Sequence, residues 1–396
     1  MKLGRISLWV LILGLGTGCG GGGGSSSSGG GGTPPSPKGD NVLLVTVNGS
    51  LCSNNSYLNK ACVSVTVCSP GTTTCQTIND ILLDTGSFGL RVFSQVLNVS
   101  LSPVGSGPGF LAECVQYADG SSDWGPIQMA GVILGNEPAV QIPIQVIDST
   151  FGTVPGQCGI PHQSPSEAGY NGILGVGLFA HDCGSGCSNN VNNGVYFTCN
   201  GKNCNGAAVP LDSQVQNPVA LLPVDNNGVI VQLPSVSAGG SPSVDGSLVL
   251  GIGTQPNNMP SGVAAYTASQ FGNVNTTFNG TSYHGFIDSG SNGLFFSTSL
   301  LPNCPAPNSG WFCPSSTTSL SATNTGASGS PSSLVSFQIA NLESLLNSSN
   351  NVFNDIGGSA PDLLFDWGLP FFFGRSIFVG LEGRGSSLGT GPYWGY

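Results

Sequence analysis

The sequence predicts an all-β protein, and three observations carry that expectation. The 396 residues include 62 Gly and 27 Pro, a turn-rich composition. Short Val-rich segments recur between clusters of turn residues. Helical periodicity is scarce, and no βαβ alternation is visible.

The segments follow in order. Asn41 opens "NVLLVTVNGS", and "ACVSVTV" follows from Ala61. "QTINDILLD" leads into Asp84, and "VQIPIQVID" alternates apolar with polar positions. "GSLVLGIG", "FQIANL" and "SIFVGLEG" continue the theme. "SQVLNVSL" and "STSLL" read as short helical turns.

Charged residues make up 7% of the chain against 39% apolar residues, the reverse of a disordered composition. The net charge of −11, with only 8 Lys and Arg, argues against nucleic-acid partners and against anionic lipid surfaces.

The first residues predict export. Lys2 and Arg5 precede the apolar run Ile6 to Leu15, too short for a membrane span. Gly16-Thr17-Gly18-Cys19 then resembles a lipobox, in which Cys19 would be lipidated and become the new N-terminus. Gly16 stands where such a site usually has Leu. Gly20 follows in place of the familiar inner-membrane retention Asp, which favours the outer membrane, facing the periplasm or the outside. Without lipidation the protein would be secreted. Residues 20–40, rich in Gly, Ser and Pro, form a tether.

Setting Cys19 aside leaves twelve of the 13 cysteines, an even number that implies disulfides in an exported chain. Cys304 and Cys313 stand apart and are expected to pair. The ten from Cys52 to Cys204 allow several connectivities. Zinc is the rival use of Cys183, Cys187, Cys199 and Cys204, with His181 close by. The oxidising compartment favours bridges.

Two strings carry the chemistry. "ILLDTGSFGL" ends at Leu90, and "GFIDSGSNGL" ends at Leu294. In each, apolar residues lead into Asp, then Thr or Ser, Gly and Ser. This duplication divides the chain into two similar parts, residues 41–222 and 223–396. Asp84 and Asp288 are the candidate catalytic pair. Gly86 and Gly290 permit tight turns. Thr85, Ser87, Ser289 and Ser291 supply hydroxyls that hold the loops and carboxylates. Two such carboxylates a few ångströms apart would share a proton, one acting as base toward a water and the other as acid. That chemistry needs neither a cofactor nor a metal. A calcium loop is disfavoured, because Gly290 offers no oxygen at the third position. Gly385-Ser386-Ser387-Leu388-Gly389 matches a serine-hydrolase string, but the last histidine, His284, precedes it. His162, His181 and His284 read as ordinary loop residues.

With these motifs the chain resembles the pepsin-like aspartic peptidases. "YADGSSDWG" from Tyr117 is similar to the family's flap, with Tyr117 as the flap tyrosine and Asp119, Gly120 and Ser121 at the tip. "YNGILGVGLF" is similar to the apolar-apolar-Gly segment behind the first Asp, which would be Ile173-Leu174-Gly175. "GSLVLGIGTQPNNMPSGVAAYTA" resembles the strand pair before the second Asp. "FDWGLPFFFGRSIFVGLE" resembles the closing segment, with Gly368 as the second triplet's glycine. The matches cover roughly residues 42–385. The resemblance implies a bilobal fold of two homologous β-barrel-like lobes around a cleft that takes a peptide or protein substrate. It implies that Asp84 and Asp288 are the dyad, with Thr85 and Ser289 bonded across the lobes. Such an internally duplicated site needs no dimer, so a monomer is expected. Two positions depart from the pattern. Arg91 replaces the Trp that normally supports the flap tyrosine and would contact the dyad or a substrate carboxylate. Asp366 is a polar first member of the second triplet. These departures keep open a second expectation, a catalytically silent binding or inhibitor protein on the bacterial surface.

Overall fold

A computed structural model describes residues 37–53, 57–361 and 363–396. The lipobox-like segment, Cys19 and most of the tether lie outside the described residues. The chain is all-β and contains a closed six-stranded barrel and a half-barrel. Among the described residues the α-helices are single turns of four residues, Pro165–Ala168, Ser185–Ser188 and Leu342–Leu345.

Each strand expected from sequence forms. Val42–Val47, Ala61–Cys68, Cys75–Asp84, Val140–Ile147, Val244–Leu250, Ser332–Ile339 and Arg375–Gly380 are all extended. "SQVLNVSL" contributes a 3-10 turn at Ser94–Val96, whereas "STSLL" stays irregular. Pro302 follows Leu301 there and disfavours helical backbone at the residue before it.

One sheet ties the two parts of the chain together. Val42–Val47 pairs antiparallel with Val244–Leu250 along its whole length. Gly228–Leu233 lies between Val244–Leu250 and Arg375–Gly380. A separate seven-stranded sheet is built from strands between Val274 and Trp367.

The same three-strand unit is built twice. Cys75–Asp84 runs parallel to Gly172–Val176, and Phe88–Phe93 returns antiparallel along the other edge. Thr281–Ile287 runs parallel to Leu364–Trp367, and Leu294–Phe296 returns antiparallel. The central strand thus fills the opening between the two arms of each Asp loop. Its glycine makes that possible. A Cβ on Gly175 would sit 2.5 Å from the Phe88 nitrogen, and one on Gly368 would sit 2.1 Å from the Gly293 oxygen.

The two units are packed differently. Behind the first, the core is aliphatic, with Val63, Val65, Leu83, Leu90 and Leu174 buried. Behind the second, Phe278, Phe296, Phe337, Phe365 and Trp367 form an aromatic stack. Each such ring contributes roughly 1.5–3 kcal/mol through burial, which anchors the loop it supports.

All twelve cysteines from Cys52 onward are paired. The bridges are Cys52–Cys62, Cys68–Cys75, Cys114–Cys158, Cys183–Cys187, Cys199–Cys204 and Cys304–Cys313. The zinc alternative loses its thiolates, because its four cysteines are bridged in two pairs. Six disulfides indicate an oxidising, exported environment. Among the described residues no helix is long and apolar enough to cross a membrane.

Candidate active site

Asp84 is the last residue of its strand, and Asp288 directly follows Thr281–Ile287. Parallel pairing with the central strand ends at both points, so each chain turns sharply there. The two loops meet. A Cβ on Gly86 would lie 2.7 Å from the Asp288 Cγ, and one on Gly290 would lie 2.9 Å from the Asp84 Cγ. Each glycine therefore packs against the other loop's carboxyl, and any side chain would push the pair apart.

The two carboxyls have matching partners. The Gly86 N–H donates to Asp84 Oδ1 at 2.7 Å, and the Gly290 N–H donates to Asp288 Oδ1 at 2.7 Å. The Ser87 hydroxyl donates to Asp84 Oδ2. The Ser291 hydroxyl donates to Asp288 Oδ2 at 2.8 Å. Behind them the loops are cross-braced. The Thr85 hydroxyl donates to the Ile287 carbonyl at 3.0 Å, and the Ser289 hydroxyl donates to the Leu83 carbonyl at 2.8 Å.

Both carboxyls are nearly buried, at 7% exposure for Asp84 and 8% for Asp288. Burial, then the charge of Asp84, then that of Asp366, pushes the Asp288 carboxyl well above the ordinary range. One proton held between two acids is the state in which one can act as base and the other as acid.

Tyr117 lies at the end of a hairpin formed by Gly109–Gln116 and Ser122–Ile133. At the tip, the Gly120 N–H donates to the Tyr117 carbonyl at 3.0 Å. Asp119 Oδ1 accepts from the Ser121 N–H at 2.7 Å and from the Ser121 hydroxyl. The Tyr117 ring packs on a cluster of Leu82, Phe93, Ile147, Tyr170 and Ile173. Its hydroxyl donates to Asp123 Oδ2 at 2.8 Å, and His162 Nδ1 lies 2.9 Å from Asp123 Oδ1. Burial opposes a charge on His162, but the hydrogen bond and charge of Asp123 carry its pKa upward.

Arg91 is only 2% exposed. Its guanidinium donates to the Phe88 carbonyl at 2.8 Å, to Glu113 Oε1 at 2.8 Å and to Asp182 Oδ2 at 3.1 Å. Burial first, then the charge of Glu113, pushes the Asp182 carboxyl well up. The cation is thus spent on partners inside its own half.

Three residues that sequence reasoning did not assign to the site belong to its surroundings. Tyr57 reaches from the loop closed by the Cys52–Cys62 bridge and donates to the Gly290 carbonyl at 3.3 Å. Burial, then the charges of Asp119, Asp288 and Asp84, raises the Tyr57 phenol. Asn59 fixes this loop across the two halves, donating to the Asn292 carbonyl at 2.9 Å and the Phe353 carbonyl at 2.8 Å. Tyr170 also senses the Asp84 charge, after burial, Asp123, Tyr57 and Asp119. Nothing in "SNNSYLNK" marks Tyr57; a loop closed by two cysteines is the only local signal.

Among the described residues, Cys52, Cys62 and Asp80 group closely enough to hold a metal, but both sulfurs are consumed by their disulfide.

A search of the curated proteins found no match to the chain. The family model described as "Protein of unknown function (DUF3443)" matches residues 37–396, which is everything beyond the tether, and the chain belongs to that family.

Proposed function

We propose that the protein is an exported aspartic endopeptidase with a bilobal pepsin-like fold. The observation that carries this reading is the matched pair of carboxyls. Asp84 and Asp288 each accept one backbone N–H and one serine hydroxyl, and each is packed against the other loop's glycine. A purely structural Asp-Gly turn has no need of a second, mirrored copy at contact distance.

The pair shares one proton in its working state, and the cycle is written with that proton on Asp288 and with Asp84 as the base. Asp84 takes a proton from a water as its oxygen bonds to the peptide carbonyl carbon. Asp288 gives its proton to the carbonyl oxygen, which yields a neutral diol. Asp84 then passes its proton to the leaving nitrogen. Asp288 regains a proton from one diol hydroxyl as the C–N bond breaks. Both acids return to their starting states, so no cofactor or covalent intermediate is needed. The hairpin with Tyr117, Asp119, Gly120 and Ser121 would close over the substrate and exclude water. Cys19 would carry the lipid that ties the chain to the outer membrane.

The test is cleavage of a mixed peptide library between pH 3 and 7. Cleavage by the parent, lost in folded Asp84→Asn and Asp288→Asn variants, supports the reading. A loss of about 10²–10⁴-fold in rate is expected for each. Cleavage surviving both substitutions sinks it, and no cleavage at any pH favours a binding protein on the same fold.

A further inference from the structure

The seven-stranded sheet ends on a free edge. Ser332–Ile339 pairs with Thr318–Thr325 and, among the described residues, with no other strand. Alternate N–H and carbonyl groups along its outer side therefore have no ladder partner. Edges of this length are usually guarded by charge, proline or a bulge. Here "SSLVSFQI" contains no charge and no Pro, and its pairing register is unbroken. Past its end the Ala340 N–H donates to the Asp355 carbonyl at 2.7 Å, which closes the seam there. Gln338 and Asn354, close to that bond on either side, border a cavity of about 260 Å³. Residues 335–338 all line it, whereas nothing from Thr318–Thr325 does. Successive side chains point to opposite faces of a strand, so four in a row form its edge rather than one face.

The opposite wall is aromatic and carries one cation. Trp367, Phe371 and Phe373 contribute rings, and the Arg375 guanidinium lies 4.7 Å from the centre of the Phe371 ring. Arg375 Nη1 donates to the Phe371 carbonyl at 2.7 Å, its one side-chain hydrogen bond among the described residues. No salt bridge reaches Arg375 among the described residues, and no acidic residue lines the cavity. Burial pushes the guanidinium pKa down, as expected of a cation held partly out of water without an anion.

We propose that this seam binds the carboxyl-terminal end of an extended peptide. The peptide adds a strand to Ser332–Ile339, places an apolar last side chain in the aromatic cavity, and sets its terminal carboxylate on Arg375. Each part of that ligand follows from the site. The free edge calls for backbone donors and acceptors at strand spacing, which an extended chain supplies. The bond between Ala340 and Asp355 closes the seam, so an added strand ends in the cavity instead of running through it. Arg375 repels an amino terminus and offers a carboxylate a planar fork of N–H donors. A second copy's Ser332–Ile339 would bring no charge to Arg375. No residue of the two Asp loops lines the cavity, so the site is separate from the carboxyl pair and stands without the peptidase reading.

The test is fluorescence anisotropy with the full chain, produced in an oxidising compartment. The probe is the N-terminally labelled peptide Thr-Val-Thr-Val-Thr-Phe, made as the free acid and as the C-terminal amide. The acid should bind about ten- to a hundredfold more tightly than the amide, and Arg375→Gln should remove that preference. Two further acids are N-methylated at alternate residues, one in each frame. One frame faces the edge and the other faces away, so one peptide should lose about tenfold or more in affinity while the other keeps it. That comparison is read on the unsubstituted protein and decides even where Arg375→Gln does not fold. Equal binding of acid and amide overturns the proposal, as does a preference retained in folded Arg375→Gln. Loss in both methylated frames, or in neither, also overturns it. So does an acid that fails to bind at about 1 mM; sedimentation of that protein as a dimer would then assign the edge to a second copy.

Discussion

Thr85 and Ser289, 204 residues apart, exchange hydrogen bonds: the Thr85 N–H donates to the Ser289 hydroxyl at 3.1 Å, and the Ser289 N–H donates to the Thr85 hydroxyl at 3.0 Å. Each hydroxyl also donates onward to a carbonyl behind the other loop. The exchange fixes the distance between the two Asp loops, because neither can shift without breaking two buried bonds. Removing one hydroxyl, as in Thr85→Val or Ser289→Ala, leaves an N–H and a carbonyl unpaired. Each substitution should cost about 1–3 kcal/mol in urea denaturation. Each should also lower kcat more than it alters KM. Full stability in both variants would show that the brace is dispensable.

Folded Asp288 and Asp366 both hold protons that the unfolded chain would release. Their raised pKa values contribute stability that is fully present below about pH 4, the unfolded carboxyl range. It is lost as pH rises through the folded values, about 8 for Asp366. Urea midpoints should therefore decline from acid toward pH 8, with Asp366→Asn declining less. The difference should be on the order of a few kcal/mol. Parallel curves for the two proteins would exclude a raised Asp366.

Arg91 pairs with the buried carboxyls of Glu113 and Asp182, and burial followed by the Glu113 charge raises the Asp182 pKa. Arg91→Met leaves Glu113 as an uncompensated buried charge and should cost about 3–5 kcal/mol. Adding Glu113→Gln to that variant should restore most of the loss, measured by thermal or urea unfolding. Arg91→Met without effect would mean that the pair contributes nothing to folding.

His162 gains a partner on folding, so its charged form contributes stability that is complete below about pH 6.5. That contribution fades as pH rises through the raised folded value. NMR titration should give a His162 midpoint above 6.5, the ordinary value. In Asp123→Asn, burial is opposed only by the charges of Asp119 and Glu167, and the midpoint should drop. Amide exchange along residues 114–124 should quicken over the same rise in pH, because Asp123 also holds the Tyr117 hydroxyl. A midpoint that ignores Asp123 would break this link.

Much of the candidate site was legible because its two copies are spelled locally. Asp84-Thr85-Gly86-Ser87 and Asp288-Ser289-Gly290-Ser291 each contain the carboxyl, the turn and the donors that hold it. Cys304 with Cys313 was legible by isolation, whereas the pairing of Cys114 with Cys158 spans 44 residues and depends on where a loop meets the hairpin. Arg91 was visible as an oddity, but its partners Glu113, on the strand Gly109–Gln116, and Asp182, in a loop, carry no local signal. Asp366 was likewise an oddity. Only the strand register sets it between Phe286 and Phe295, buried with Oδ1 unpartnered.

By itself the sequence determined the strand content, the export-type disulfide chemistry and the duplicated Asp loops, since alternation, cysteine number and turn residues all act within a few residues of themselves. The tertiary structure alone decided that the two loops meet through each other's glycines, that Tyr57 lies against the second loop, and that Arg91 turns inward onto Glu113 and Asp182 while Asp366 is buried between Phe286 and Phe295. Those outcomes depend on strand register and on which buried charges find partners, and both are settled by packing between segments far apart in the chain.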